Sequence, residues 1–442
     1  MVVGAARSGI AAAELLVRKG AHVLLTETRD HVDGADRLRA AGVELELGGH
    51  GPAIERAELV VTSPGVPPDT PALDLARRRG VEVIGEIELA SRWVRGPIVA
   101  ITGTKGKSTT TTLVGRMAGA GGRHVLVGGN IGVPLSAQVE ESTPDTLHVV
   151  EVSSFQLEAA TTFHPWIAVW LNFAADHLDR HESVGDYADA KARIFASQTS
   201  GDWAVVNAED ATVMARSEGT AATRVPFWPS ASPADGFGRE EGWIVRRAEG
   251  RLERIVPESA VELTGEHMLG NVVAATAAAT LAGVASRAIR DGLRGFHGLE
   301  HVMEPAGALG GVIFVNDSKA TNVEAARRSI ESFPAGVVAL VGGYYKGGDL
   351  RELRAPLAAR GRGVVAIGEA APRVREALAG VVPVVEAGSM AEAVARGYAL
   401  AAPDGVVLLA PACASFDWFE DYAARGRAFK AAVAALATRM EG

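Results

Sequence analysis

The chain has 442 residues, 48% of them hydrophobic and 22% charged, a balance that fills globular cores and excludes disorder or a fibrous repeat as the dominant character. At roughly 150 residues per domain, the length suggests two or three domains. The 44 basic residues stand against 53 acidic ones, for a net charge of −9, so no global basic field for nucleic acid exists and any phosphate must be met by local groups. A single cysteine, Cys413, excludes an intrachain disulfide framework and suits a reducing compartment. The amino terminus lacks the basic start and apolar core of a signal peptide. The longest weakly polar run, Val272 to Ala285, falls short of the about 20 residues that a membrane span needs and reads as a buried, Ala-rich helix. The expectation is a cytoplasmic protein with no nucleic-acid partner and no membrane insertion.

Strand-like and helix-like runs alternate almost throughout, the pattern of an α/β fold with largely parallel sheets. The first block, 1–93, opens with Val2-Val3, the turn Gly4-Ala5-Ala6-Arg7-Ser8-Gly9 and a helical stretch from Ile10 to Lys19 that Gly20 ends. Strands follow at His22–Leu25, Leu59–Val61 and Val81–Ile84, as in a small nucleotide-binding unit. The first strand is short, with two residues between Met1 and Gly4, as if the coding region began upstream. Gly4 to Gly9 has the outline of a dinucleotide fingerprint with Ala6 in place of the middle glycine, and it reads equally as a phosphate site or as a tight strand-to-helix turn. The second block, 94–297, opens with the apolar strand Pro97–Thr102. Its polar, Gly-rich middle, Ser217 to Arg251, reads as surface hairpins and loops. The third block, 298–442, carries strands at Val312–Val315, Val337–Val341, Val364–Ile367 and Val406–Leu409 with helical runs between them.

Gly103-Thr104-Lys105-Gly106-Lys107-Ser108-Thr109 follows a strand and precedes a helix, the context of a phosphate loop. Its glycines let backbone N–H groups turn inward around phosphate oxygens, and the helix start adds a favourable dipole. Lys107 would neutralise the β and γ phosphates, and Ser108 would offer its hydroxyl to Mg²⁺. The spacing is shorter than the standard loop, with Ile101 where the first glycine would stand. Glu151 ends the apolar run Val149-Val150 at the carboxyl edge of a parallel sheet, where α/β sites lie, and a carboxylate there is a natural Mg²⁺ ligand. After the strand Ile167–Leu171, the stretch Asn172 to His181 packs two acids and two histidines. His177 could bind metal or hydrogen-bond a substrate carboxylate, with a plain polar loop as the bland alternative. Lys191 lies on an amphipathic helix, and its spacing says no more than an exposed lysine. In the third block the polar turns Asn316–Asn322, Gly342–Asp349 and Pro411–Asp417 follow three strands and argue for a substrate facing this domain. For the first of them the bland alternative is a helix cap supplied by Ser318 or Thr321. Cys413, among small residues and with no basic group beside it in the sequence to lower its pKa, reads as packed rather than nucleophilic.

The segments Thr102–Ser108, Glu151-Val152-Ser153-Ser154-Phe155-Gln156-Leu157-Glu158, Asn316–Asn322 and Ala412-Cys413-Ala414-Ser415-Phe416-Asp417, in this order, resemble the Mur ligase family. These are ATP-dependent amide-forming enzymes of bacterial peptidoglycan precursor synthesis, and the last three segments resemble the D-glutamate-adding member in particular. The resemblance covers essentially the whole chain. It implies an N-terminal Rossmann-like UDP-binding domain, a central P-loop-like ATPase domain with a mostly parallel sheet, and a C-terminal Rossmann-like domain for the amino acid. By matching position, Ser8, Glu27, Thr28 and Arg29 would lie near the uracil and phosphates of UDP, and Asn130 near the muramoyl substrate. Gly103 to Thr109 would cradle ATP, with Asn271 and Asp317 facing its base and ribose. Lys107, Glu151, His177 and Lys191 would be catalytic. Glu151 and His177 would serve two Mg²⁺ sites, and Lys191 matches a carbamylated lysine whose carbamate helps bind the second. Lys319, Thr321, Lys346, Ser415 and Tyr422 would surround D-glutamate. The implied reaction adds D-glutamate to UDP-N-acetylmuramoyl-L-alanine through an acyl phosphate, in a monomer. Two departures stand out: His301-Val302 where the family usually has His-Arg, and Tyr345 where Asp usually precedes the lysine matching Lys346. The rival readings are a sister ligase or a folylpolyglutamate-synthetase-like ligase using another amino acid, a nucleotide-dependent oxidoreductase built on Gly4 to Gly9, and a non-catalytic ATP-binding module.

Overall fold

The computed structural model describes residues 1–32, 34–174, 180–181, 183–231, 233–263 and 266–441, and the chain divides into two units, Met1–Phe296 and His297–Gly442. The first unit holds two sheets. One is formed by β1 (Val2–Val3), β2 (Val23–Glu27), β3 (Val43–Leu47), β4 (Leu59–Thr62) and β5 (Glu82–Gly85), parallel throughout in the order β3-β2-β1-β4-β5. Short as it is, β1 lies at the centre, with Val2 and Val3 fully buried. The turn that follows is close-packed: a Cβ on Gly9 would lie 1.9 Å from the carbonyl oxygen of Gly4, which only glycine permits.

The second sheet comprises β6 (Ile98–Thr102), β7 (Val125–Gly129), β8 (Leu147–Glu151), β9 (Ile167–Trp170), β10 (Trp203–Asn207), β11 (Thr223–Phe227), β12 (Gly236–Glu240), β13 (Trp243–Ala248) and β14 (Arg251–Pro257), ordered β14-β13-β12-β11-β10-β9-β6-β8-β7. Every residue of β6 and β8 is buried; β6 reads as the near-continuous apolar run of a strand covered on both faces, whereas β8 carries a buried His148 and ends on the buried Glu151. The expectation for Ser217 to Arg251 needs correction. The hairpins β12–β13 and β13–β14 are there, but β11 and β12 first extend the sheet in parallel through the pairs Trp203↔Thr223 and Phe227↔Phe237. The strands β11 and β14 go from exposed to buried along their length, which leaves no continuous apolar signal. The expected Ala-rich helix is Glu266–Leu281, with Val272 to Ala279 fully buried.

The second unit has one sheet, made of β15 (Glu304–Leu309), β16 (Val312–Asn316), β17 (Val337–Gly342), β18 (Gly361–Ile367), β19 (Val384–Ala387) and β20 (Val406–Leu409), in the order β15-β16-β20-β17-β18-β19. Only β15, against β16, is antiparallel. Because β16, β20 and β17 are neighbours, with Asn316↔Leu409 and Leu340↔Leu409 in register, the three polar turns leave the sheet side by side at its carboxyl edge. Between the units, Gly295 and Gly298 have φ of 67° and 117°, a left-handed region that costs glycine little.

Candidate active site

The phosphate loop leaves β6, which lies between β9 and β8, and runs into the helix Lys107–Ala120. Gly106, with φ of +84°, makes the turn, and the side chain of Asn271 fills the space where a Cβ would stand. The amides of Thr104 and Lys105 both donate to Oδ1 of Asn172, at 3.1 and 2.9 Å, and its Nδ2 returns a bond to the Lys105 carbonyl at 3.0 Å. Asn172 therefore braces the loop from the end of β9, a role its place in a polar stretch did not announce. Lys107 Nζ donates to the Gly103 and Thr104 carbonyls at 2.9 and 3.1 Å. Ser108 Oγ donates to Glu151 Oε2 at 2.6 Å, and Asn130 Nδ2 to Glu151 Oε1 at 2.7 Å. The loop, the end of β8 and the turn after β7 thus converge on one buried carboxylate.

Lys191 is not exposed. It is 1% accessible, on the helix Val184–Ala192, and its Nζ donates to the Gly103 carbonyl at 2.9 Å. Two ammonium groups, those of Lys107 and Lys191, thus share one carbonyl oxygen of the loop. The Lys191 Nζ also sits 4.6 Å from the centre of the Tyr187 ring, a cation–π contact, and the Tyr187 hydroxyl is 3.4 Å from Thr104 Oγ1. The amphipathic reading failed because the loop, 88 residues away in sequence, covers this face of the helix. His181 continues the same layer, stacked on Phe155 at 5.2 Å, 4.9 Å from Tyr187, and 3.0 Å from Ser154 Oγ through Nε2. His177 lies outside the described residues.

At the carboxyl edge of the first sheet, Glu27 accepts from the Ala5 amide at 2.8 Å, the Thr28 hydroxyl at 3.1 Å, the Arg29 amide at 3.2 Å and Arg29 Nη2 at 3.1 Å. Burial alone would raise its pKa, but these donors, the Arg29 guanidinium foremost, hold it down to about 2. The Ala5 N–H in the Gly4 to Gly9 turn is therefore already bonded to a carboxylate of the chain itself. The close packing of the turn requires its glycines with or without a bound nucleotide. Ser8 lies in the first turn of the helix Arg7–Arg18 that leaves the same turn.

In the second unit Asp317 is buried. It accepts from the Met303 amide at 3.2 Å and from the Ser329 hydroxyl, and burial raises its pKa. The cap of the helix Val323–Glu331 comes from Asn322, whose Oδ1 accepts from the Ala325 amide at 2.8 Å, and not from Ser318 or Thr321. Lys319 and Lys346 are exposed, the latter with Nζ 5.1 Å from the Phe416 ring centre, while Ser415 is buried. Tyr345 folds back over its own turn, its hydroxyl on the Gly348 carbonyl and its ring under Arg373 at 5.2 Å. Val302 stands between His301 and Met303, whose φ angles are 65° and 45°. Tyr422 opens the helix Tyr422–Glu441, and its carbonyl accepts from the Ser318 hydroxyl at 2.8 Å. The same helix brings in Arg425, which the sequence did not single out. Arg425 lies against Cys413, donating to its carbonyl at 3.1 Å, so the cysteine does have a basic neighbour. Burial nevertheless prevails and pushes the thiol up to about 11, leaving Cys413 a packed residue.

Three families match successive parts of the chain: the Mur ligase MurD-like N-terminal domain over residues 1–85, the Mur ligase middle domain over 101–279, and the Mur ligase glutamate ligase domain over 303–413. The UDP-N-acetylmuramoylalanine–D-glutamate ligase of Acidobacterium capsulatum is 46% identical over 438 residues, covering 97% of this chain and 95% of the relative. The chain belongs to the Mur ligase family. Another Mur ligase of the same name, from Geobacter metallireducens, is 44% identical over 442 residues, covering 99% of this chain and 97% of its own. Among solved structures, the UDP-N-acetylmuramate–alanine ligase of Thermotoga maritima superposes with a TM-score of 0.57 at 17% identity, covering 98% and 99% of the two chains. For the murein peptide ligase of Psychrobacter arcticus the values are 0.54, 16%, 97% and 98%. These share the Mur ligase fold. The family is ATP-dependent and uses Mg²⁺, and the residues present fit that cation. A hydroxyl and a carboxylate 2.6 Å apart are the hard oxygen donors it takes, usually completed by water and substrate phosphate oxygens rather than by an all-protein cage. No cluster of three or more His, Cys, Asp or Glu able to hold a metal occurs among the described residues, which do not include Asp176, His177 and Asp179.

Proposed function

We propose that this chain joins the amine of D-glutamate to the L-alanyl carboxylate of UDP-N-acetylmuramoyl-L-alanine at the expense of ATP, in peptidoglycan precursor synthesis. The observation that carries the reading is the coupling of the phosphate loop to Glu151 through Ser108, in a chain matched almost end to end by relatives of that activity by name. A carboxylate is a poor electrophile with a poor leaving group. Transfer of the γ-phosphoryl of ATP to it gives an acyl phosphate, the amine attacks its carbonyl, and phosphate leaves. Lys107 and the loop amides would meet the charge spread over the phosphoryl group in transit. Ser108 and Glu151 would hold Mg²⁺, which supplies neutralisation of the phosphate oxygens when bound. No covalent bond to the enzyme is needed, in keeping with a packed Cys413.

The division of labour we propose follows the three blocks. Residues 1–93 take the UDP moiety through Ser8, Glu27, Thr28 and Arg29; 94–297 take ATP, with Asn271 at the nucleotide and Asn130 toward the muramoyl group; 298–442 take D-glutamate through Lys319, Thr321, Lys346, Ser415 and Tyr422, with Asp317 toward the nucleotide. We also propose that Lys191 works as its carbamate, serving a second Mg²⁺ with His177. What supports this is the burial of Lys191 against the loop, with its Nζ on the same Gly103 carbonyl as Lys107, where a carbamate would stand beside the Lys107 cation and attract it. Phosphate release with UDP-N-acetylmuramoyl-L-alanine and ATP, scanned over amino acids one at a time, tests the whole reading. D-glutamate should support turnover. Release with another amino acid instead, or with none, would overturn it.

A further inference from the structure

Arg425 is 1% exposed, yet every group it bonds is neutral. Nε donates to Ser318 Oγ at 2.9 Å, Nη2 to the Ser318 carbonyl at 2.9 Å, and Nη1 to the Ala414 and Cys413 carbonyls at 3.0 and 3.1 Å. Asp417, whose charge it feels, is hydrogen-bonded to the Glu369 amide instead. Burial lowers the guanidinium pKa only to about 10, so it remains a cation at neutral pH. A buried charge with only neutral acceptors is costly, although the guanidinium also satisfies carbonyls that an apolar residue would leave unpaired. The position of the charge is informative. The residues that follow its acceptors are Lys319 and Ser415, and Tyr422 precedes it by one turn of the same helix. The third turn is held as well: Tyr344 pairs both ways with Ala414 at 3.0 Å, and a Cβ on Gly343 would come within 3.1 Å of Nη1. The guanidinium fork thus ties together the edges of β16 and β20, and backbone bonds between Tyr344 and Ala414 add the edge of β17, with Lys319 and Lys346 exposed on these turns.

We infer that Arg425 is a positioning residue that makes this edge selective for an amino acid with a second carboxylate, through the two turns it holds and a charge hydrogen-bonded to no carboxylate among the described residues. The inference rests on the acceptor reading given above. An α-carboxylate alone needs one of the exposed lysines. A side-chain carboxylate entering the same edge meets the remaining cation and a buried field that weak dielectric screening leaves strong.

The test is a competition between D-glutamate and D-glutamine in one reaction of the full-length enzyme with saturating ATP and muramoyl substrate, both products being quantified. Wild-type enzyme should use D-glutamate with strong preference. If it uses neither or prefers the amide, the acceptor reading itself has failed. With that reading intact, Arg425→Gln should reduce the D-glutamate to D-glutamine ratio of kcat/KM by about tenfold or more, equivalent to 1.4 kcal/mol. It should raise the KM for D-glutamate while the KM for ATP moves less than about twofold. Arg425→Lys, which keeps the charge but not the fork, should retain more of the ratio than Arg425→Gln. Equal losses with both amino acids would reduce Arg425 to a structural staple and overturn the inference. Should Arg425→Gln fail to fold by circular dichroism, Arg425→Lys carries the test alone: an unchanged ratio with a normal D-glutamate KM overturns the inference, and a reduced ratio sustains it.

Discussion

Among the described residues, Lys191 and Arg425 are the two large cations buried almost completely, both at 1% exposure, and they are held differently. Lys191 points its ammonium at the Gly103 carbonyl of the loop, over the Tyr187 ring. Arg425 spreads its guanidinium over four acceptors from two turns. An ammonium is a compact group that can give up its proton and react, whereas a guanidinium stays charged and fits a fixed fork. The lysine is therefore placed where chemistry at its nitrogen can alter the phosphate loop, and the arginine where geometry must not change. Buried charge alone therefore does not say what role a side chain takes.

The largest effect should come from the cation that Lys191 faces. Lys107→Ala should reduce phosphate release by about 10²–10³-fold or more, the scale of removing one preorganised charged donor, while the circular dichroism spectrum stays native. Near-normal turnover in the folded variant would remove the loop from the reaction. Next, Lys191→Ala should lose about 100-fold, the upper range for groups that support a metal site, and a short carboxylic acid should restore part of it. Lys191→Arg sharpens the comparison, because it keeps a buried cation that cannot form a carbamate. It should be as impaired as Lys191→Ala, without rescue, and an active arginine variant would show that position 191 needs only charge.

A carboxylate buried against a loop is the counterpart of these cations. Glu27 has its pKa lowered from 4.5 to about 2, so its contribution to stability is complete above about pH 4.5 and fades as the pH falls towards about 2. Glu27→Gln should lower the thermal midpoint at pH 7 and flatten its decline between those limits; an unchanged slope would mean that the Ala5 and Arg29 contacts do not persist in solution. The smallest effect belongs to Cys413. With its thiol pushed up to about 11, native protein should react with a maleimide at pH 8 far more slowly than unfolded protein. Cys413→Ala should keep activity within about twofold, as a near-volume-conserving change in a core does. Rapid native labelling would mean that Arg425 governs the thiol more than burial does.

The sequence by itself determined whatever is local or buried on both sides. Ile98–Thr102, Val337–Gly342 and Val406–Leu409 are fully buried strands and are written as apolar runs, so their alternation with helices was enough for a largely parallel α/β fold. The phosphate loop is legible for another reason: its lysine and its turn lie within seven positions, and Gly106 needs no distant partner to adopt a positive φ. Only the tertiary structure decided the rest. The strands β3, β15 and β19 carry exposed or half-buried residues along their length and exist because a neighbouring strand offers hydrogen bonds. Asn172 became a brace, and the cap fell to Asn322, through contacts that composition does not record. Lys191 is buried by a loop 88 residues away and Arg425 by a turn 107 residues away. Side-chain burial is set by what packs opposite, and the identity of that partner is fixed when the chain folds, not by the residues next to it.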